Sequence, residues 1–483
     1  MLQRRWQALI DPMKKSALAS LACVVALAGC MVGPDYVRPT APTATTYKEM
    51  EGWKFAQPAD DAPRGTWWEA FNDPDLNALM AQVDVNNQNI ALFEARVRQA
   101  DAATRAARAA LWPLVDLNVA ATRNNAATQT SGRATNSAYN IGLGASWEPD
   151  LWGGIRRNIE ATGDTAQASV ADLANARLSV QASLAQNYFL LRVQDAQIAL
   201  LRDTVANYER SLQLTRNQYA AGVVARGDVA QAESQLKSAQ ASLLDAQLSR
   251  AQLEHAVAVL VGKPPAELTI TAQSRLVPVY PDIPLALPST LLERRPDIAS
   301  AERSAASANA QIGVAQAAFF PTISLSANGG LQSSVIGSLL SLPSRYWSLG
   351  AALAQTIFDA GLRSAQKEQA VASYDAAVAT YRSTVLTGFQ EVEDNLAALY
   401  ILGQESAVQQ EAVTAARESA AIAMNQYRAG TANYLAVVVL QANALNSERT
   451  ALAITARRLT ASVNLVKALG GGWNATQLAA AQP

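Results

Sequence analysis

Cysteine, histidine, net charge and long apolar runs are all scarce in this chain of 483 residues. It has two cysteines and one histidine. Cys23 falls inside an N-terminal stretch that reads as a removable leader, which leaves Cys30 alone and excludes an internal disulfide. One histidine and one remaining cysteine cannot build a His/Cys metal cluster or a Ser-His triad. His255 is the repeat counterpart of Val463, a seam position, and reads as a packed helix residue. Gly329-Gly330 and Gly470-Gly471-Gly472 lack the lysine and the spacing of a phosphate loop. No catalytic residue, metal site or cofactor is therefore expected. A net charge of -1 supplies no polybasic surface, which argues against nucleic acid as a partner. No run after residue 30 approaches ~18 consecutive apolar positions, so no membrane-spanning helix is expected. Aromatics are few while alanine, leucine, glutamine and arginine abound, a composition that leans toward long helices and coiled coil.

At the N-terminus, Lys14 and Lys15 precede an almost wholly apolar or small stretch from Ser16 to Gly29, the order of a secretory signal. Leu27-Ala28-Gly29-Cys30 resembles a bacterial lipobox. That resemblance implies removal of residues 1–29 and a covalent lipid on Cys30, S-diacylglycerol plus an N-acyl chain such as palmitate. Met31 stands where an aspartate would resemble an inner-membrane retention signal, so the outer membrane is the expected destination. Residues 30–65, with Pro34 and Pro39 discouraging helix, read as an acylated tether running along the outside of the helices.

The rest of the chain repeats itself. Asn217-Gln218-Tyr219-Ala220-Ala221-Gly222 recurs as Asn425-Gln426-Tyr427-Arg428-Ala429-Gly430, and the same offset carries Pro113 onto Pro321, Asn187 onto Asn395 and Arg250 onto Arg458. A period this long signals duplication of a large module. Residues 66–270 form the first copy and 271–473 the second, followed by a tail over 474–483. Each copy has a helix, a β-hairpin (114–149; 322–357), a long helix (153–220; 361–429) and a return helix (227–261; 432–468).

Within the hairpins, apolar and polar residues alternate at period two, as in Leu117, Val119 and Ala121 or Leu349, Ala351 and Leu353. Four strands of about 9 to 11 residues result, each long enough for a tilted bilayer crossing. Polar, Gly/Ser/Asn-rich loops are expected between them. The proline-free runs beyond make rods of roughly 100 Å at 1.5 Å per residue. On the return helices, apolar residues step by threes and fours, from Val229, Ala232 and Leu236 to Leu260, and from Val438, Ala442 and Leu445 to Val466. That is a coiled-coil seam. A neighbouring seam, Val437, Leu440, Ala444, Ala451, Ile454, Ala461 and Leu465, is also largely apolar, so these helices need neighbours on two sides.

Strands in lipid must close, and single-chain barrels start at eight. Four strands per chain therefore point to a homotrimer. The expected fold is an α+β membrane protein: a trimeric 12-stranded outer-membrane β-barrel, four strands per chain, continuous with a long periplasmic α-helical barrel of coiled-coil helices. Trp147, Trp152, Trp347 and Phe358 are expected at the strand ends facing the helices, where an aromatic belt belongs.

Five stretches carry a family resemblance: "GPDYVRP" (33–39), "WWEAFNDPDLNAL" (67–79), "LLERRPDIASAERSAASANAQIGVAQAAFFPTISL" (291–325), "IFDAG" (357–361) and "VNLVKALGGGW" (463–473). On these the chain resembles the TolC-type outer membrane factors, in particular their lipoprotein branch of OprM/NodT efflux proteins. The resemblance implies a passive trimeric duct for drugs or other toxic small molecules. Its partners would be a periplasmic adaptor, an inner-membrane pump of the RND type, and outer-membrane lipid. A duct for type I protein secretion is the neighbouring alternative, and a lipid-anchored coiled-coil scaffold a more distant one.

The same resemblance assigns roles to the turns. Gly222 with Asp228, and Gly430 with Asn433, would form the periplasmic tips where the adaptor docks. Where the family often reads Tyr-Leu-x-x-Leu-Asp-Ala-Gln-Arg, this chain has Val439 and Ala442 in place of the aspartate and arginine. An apolar constriction built from Leu435 and Val439, with Ala442 beside them, is expected there instead of an ion-paired ring. Arg294-Arg295-Pro296-Asp297, the family's most recognisable local motif, reads physically as a helix start.

Overall fold

A computed structural model describes residues 31–49, 65–128, 132–281 and 294–472. The leader, Cys30 and the C-terminal tail lie outside the described residues. The chain divides into two compact units: Met1–Thr40, Val97–Ser169 and Ala301–Tyr381 form one, and Ala41–Arg96, Val170–Ser300 and Arg382–Pro483 the other.

In chain order the elements are α1 (Pro74–Asn86), α2 (Gln88–Ala109), β1 (Leu114–Thr128), β2 (Gly132–Trp147), α3 (Gly154–Ala220) and α4 (Arg226–Leu260). They continue as α5 (Pro296–Ala317), β3 (Thr322–Ser333), β4 (Arg345–Ala354), α6 (Leu362–Arg428) and α7 (Tyr434–Ala468). The starts of α5, β3, α6 and α7 each fall 208 residues after those of α2, β1, α3 and α4. Both long helices have 67 residues and both return helices 35. The counterpart of α1 would fall on 282–294, of which all but Arg294 lie outside the described residues. No helix among the described residues is long and apolar enough to cross a membrane.

The first unit holds the sheet. Its four strands are antiparallel in the order β1-β2-β3-β4. The strands of the first hairpin, at 15 and 16 residues, are longer than the alternation indicated. Arg123↔Ser137, Asn124↔Asn136 and Asn125↔Thr135 are paired, although this stretch was expected to be loop. The reason is physical. Alternation appears only where one face is apolar, whereas the backbone ladder continues wherever two strands lie in register. Trp347 also departs from expectation. It pairs with Gly329, whereas the helix-facing end of the ladder is Thr322↔Ala354, so Trp347 sits toward the opposite end.

The second unit is helical. Asp73 caps α1 by accepting from the amides of Asp75 and Leu76 at 3.0 and 3.1 Å, with Pro74 in the first turn. This presents Leu76, Met80 and Val83 to a core shared with Trp67, Phe71, Leu184, Tyr188, Leu191, Val257 and Val463. Full burial of each large side chain there stabilises by roughly 1.5–3 kcal/mol. Both seams on α7 contribute buried residues, Val437, Ala444, Ile454, Ala461 and Leu465 from one and Leu459 and Val463 from the other. His255 is exposed, contrary to the packed position expected from its seam. One chain leaves that face of α4 bare.

The two copies close their return helices in the same way. Gly262 (φ +72) and Gly470 (φ +89) lie in the left-handed region that favours glycine. A Cβ on Gly262 would strike Asn86 O, and one on Gly470 would strike Arg294 O. Asn87 donates to Leu260 O at 2.7 Å and, 208 residues on, Arg295 donates to Ala468 O at 3.1 Å. Arg295 also binds Asp297 at 2.7 Å and Glu391 at 2.7 Å, so this arginine clamps the start of α5 to α6 and α7.

Candidate functional site

Directly opposed residues in an antiparallel ladder share a face, so the register sorts the sheet into two sides. One side carries Val115, Leu117 and Val119 of β1 and Ile141, Leu143 and Ala145 of β2. It continues through Ile323, Leu325, Ala327 and Leu331 of β3 to Trp347, Leu349 and Leu353 of β4. On β1 and β4 these side chains are exposed, Trp347 at 79% and Leu349 at 76%, whereas those on β3 are half-buried. The other side carries Asp116, Asn118, Asn140, Ser146, Ser324, Ser326, Asn328, Gln332 and Ser348, with glycine and alanine between them. An apolar face this continuous, backed by a polar one, matches a sheet wall with lipid on one side and water on the other.

Aromatic residues mark the junction of strands and helices. Trp147 closes β2 and donates to Leu111 O at 2.9 Å. Trp152 donates to Pro321 O at 2.7 Å and stacks on Phe320, with ring centroids 4.8 Å apart. Phe358 is exposed between β4 and α6. Those three stand at the helix-facing end, and Trp347 marks the other.

Residues 31–36 lie against this junction as a strap. Val32 donates to Trp152 O at 3.0 Å. Arg157, only 1% exposed, donates to Val32 O and Gly33 O at 3.2 Å each, and pairs with Asp35 and Glu160 at 2.8 Å. Tyr36 donates to Glu302 at 2.8 Å, and burial together with this carboxylate pushes its hydroxyl well above the usual range. Nearby Asp164, 3.7 Å from Arg303, is pushed up to about 6 by burial.

In the second unit, two turns end the long helices. Gly222 and Gly430, at φ +74 and +73, reverse the chain, and open space surrounds both. Asp228 stands in the first turn of α4. Asn433 caps α7, accepting from the Ala436 amide at 3.0 Å. Leu435 and Val439 are 57% and 49% exposed, four residues apart on one face of α7, with Ala442 a further three along. Val437, pointing the other way, is fully buried.

A cluster of tyrosines behind these turns was not anticipated. Tyr427 donates to Thr215 at 3.2 Å and its ring lies 5.2 Å from that of Tyr434. Tyr434 reaches Gln235 at 3.4 Å, and burial, helped by the nearby Tyr427, Tyr208 and Asp228, pushes its hydroxyl up to about 12. One signal was available, since Tyr427 lies in the repeated hexapeptide. Its counterpart Tyr219 is 47% exposed against 3% for Tyr427, so the copies use the same residue differently.

The Outer membrane efflux protein family profile matches residues 79–263 and 287–471, two segments with the same 208-residue offset. A toluene efflux pump outer membrane protein of Pseudomonas putida, TtgC, is 33% identical over 467 residues, covering 95% of this chain and 96% of the relative. A pyoverdine export outer membrane protein of Pseudomonas aeruginosa, OpmQ, is 31% identical over 473 residues, covering 95% and 97%. Among solved structures, the outer-membrane channel OprN superposes with a TM-score of 0.85 at 30% identity, covering 92% of this chain and all of that one.

Proposed function

The chain belongs to the Outer membrane efflux protein family, and from that premise we propose that three copies close into one duct. It is the outer-membrane exit channel of a tripartite efflux system, paired with a periplasmic adaptor and an inner-membrane pump, and it performs no catalysis. The sheet carries this reading. Its apolar face suits lipid and its polar face suits a wet lumen, while β1 and β4 are outer strands of opposite direction. Joining β4 of one copy to β1 of the next is the way to satisfy both edges in a membrane, and three chains supply about twelve strands. The helices of the three copies then continue as the periplasmic barrel.

The turns at Gly222, Asp228, Gly430 and Asn433 are the adaptor-facing tips, and the pump beyond is of the RND type. Three copies of Leu435 and Val439, with Ala442, form an apolar constriction, supported by their exposure on a helix whose opposite face is buried. Apolar constrictions close a channel by expelling water. Cys30 carries the lipid, an additional fastening beside the barrel. The cargo is toxic organic small molecules, the class to which the toluene named for one relative belongs.

Reconstitution of the purified protein in planar bilayers tests this reading, together with drug susceptibility of a host lacking its own duct. A heat-modifiable trimer, single-channel conductance and restored resistance are expected. A chain that stays monomeric and silent in lipid overturns it.

A further inference from the structure

Below the apolar face of the sheet, a half-open cavity of about 210 Å³ is lined by Leu151, Trp152, Ile155, Val314, Phe320 and Ile323. Ile323 is also the first β3 residue on the apolar face, so the cavity continues that face inward. Its charged neighbours are occupied or peripheral. Asp150 accepts from the amides of Ile155 and Arg156 at 3.0 and 2.9 Å and pairs with the Arg156 side chain at 3.1 Å, while Glu148 is exposed. Among the described residues, none fills the space.

The strap leads to its rim. Gly153 (φ +78) and Gly33 (φ +99) both take a conformation that suits glycine. A Cβ on Gly153 would stand 2.8 Å from Met31 Cα, and one on Gly33 would strike Gly313 Cα. Glycine at both positions therefore lets the strap lie directly on the helices. Arg157 holds it there through two carbonyls and Asp35, and Asn309 adds a bond to Pro34 O at 3.0 Å. Met31 thus rests on Gly153, whose neighbours Trp152 and Gly154 line the cavity.

We propose that one fatty acyl chain attached at Cys30 lies in this cavity against Trp152, Phe320 and Ile323, so that the anchor is docked on the protein at the membrane boundary. The inference rests on acylation of Cys30, which belongs to the functional reading above. The geometry supplies the rest: an apolar slot continuous with a lipid-facing surface, and a rigid strap delivering the modified end to its edge.

The test uses the full-length protein expressed in cells fed a fatty acid carrying a photoactivatable diazirine near its tail. Intact mass establishes whether Cys30 is acylated. After irradiation, adducts are expected on the segments Leu151–Ile155 and Val314–Ile323, and should be lost in Ala318→Phe, a change at an exposed lining position that narrows the mouth. An acylated protein whose adducts fall only on bilayer lipid, or on strand residues such as Leu349 and Leu353, overturns the docking while leaving the anchor intact. An unmodified mass overturns the anchor itself, and docking with it.

Discussion

Arg295 donates from Nη1 to the carbonyl oxygen of Ala468 at 3.1 Å, closing the last turn of α7 with a side chain that precedes α5. The same guanidinium holds Asp297 and Glu391. Replacing it takes a donor from a carbonyl and two carboxylates, though Asp297 keeps the Ile298 amide at 2.9 Å, and losing one partner of a buried ion pair costs about 3–5 kcal/mol. Part of that is screened here, because Glu391 is 43% exposed at its side chain. Arg295→Ala should therefore lower the unfolding temperature clearly and reduce trimer yield. Arg295→Lys should recover only part, since a lysine cannot fork. Thermal denaturation followed by circular dichroism reads both.

Glycine tolerance should differ between the two kinds of turn. Gly470→Ala meets both an unfavourable φ and the Arg294 carbonyl, so it should prevent normal assembly. Gly430→Ala meets the φ alone, in open space, and should cost about 1–2 kcal/mol. Gly430→Asn should cost less. Comparing unfolding midpoints of the variants checks the ranking.

Asp164 gives a pH signature. Its folded value, about 6, is raised above the ordinary 3.8 by burial, so between those values the folded chain binds a proton that the unfolded chain has released. Stability from this group is full below pH about 4 and declines as pH rises through 6. Asp164→Asn, which mimics the neutral form, should gain stability relative to the parent at pH 7 and lose that advantage at pH 4. Denaturation at the two pH values measures the difference, and an advantage that does not change with pH refutes it.

The two faces of the sheet predict opposite responses to charge. Leu349 opposes Ala327 on the apolar side, and Ser348 opposes Asn328 on the polar side. Leu349→Arg should destabilise by about 2–4 kcal/mol if it meets the bilayer midplane. Ser348→Arg should fold normally and shift ion selectivity toward anions. Folding into vesicles and reversal potentials separate the outcomes.

At the tip, Val439→Asp should convert an apolar ring into a hydrated, cation-attracting one. Closed-state conductance should rise and cation selectivity increase in planar bilayers. If neither changes, Val439 does not form the constriction.

Much of this architecture is legible in the sequence because its signals are periodic. Alternation placed the apolar cores of the strands, proline-free runs bracketed the helices that begin at Gly154 and Leu362, and heptads marked the return helices. What escaped has no period. The ladder beyond Arg123 is polar on both faces, so nothing in the side chains marks it as strand. Trp347 was placed by residue type, but only hydrogen-bond register fixes height along a sheet. Tyr427 meets Thr215, and Tyr434 meets Gln235, through helices far apart in sequence, as do Arg157 and the strap. His255 shows the limit of a seam, which says that a face is to be covered but not by which chain.

Tyr219 and Tyr427 occupy the same place in two copies of one module, yet one faces solvent and the other is buried. Fusing the copies into a single polypeptide releases each from its twin's constraints. A ring of identical single modules would have to ask every tip to serve at once as packing element and contact surface, and any mutation would strike all of them. With two copies per chain, neighbouring tips can divide those tasks and drift separately. The tandem origin is thus a source of evolvability, giving the assembly alternate positions at which to acquire a new partner without loosening the old closure.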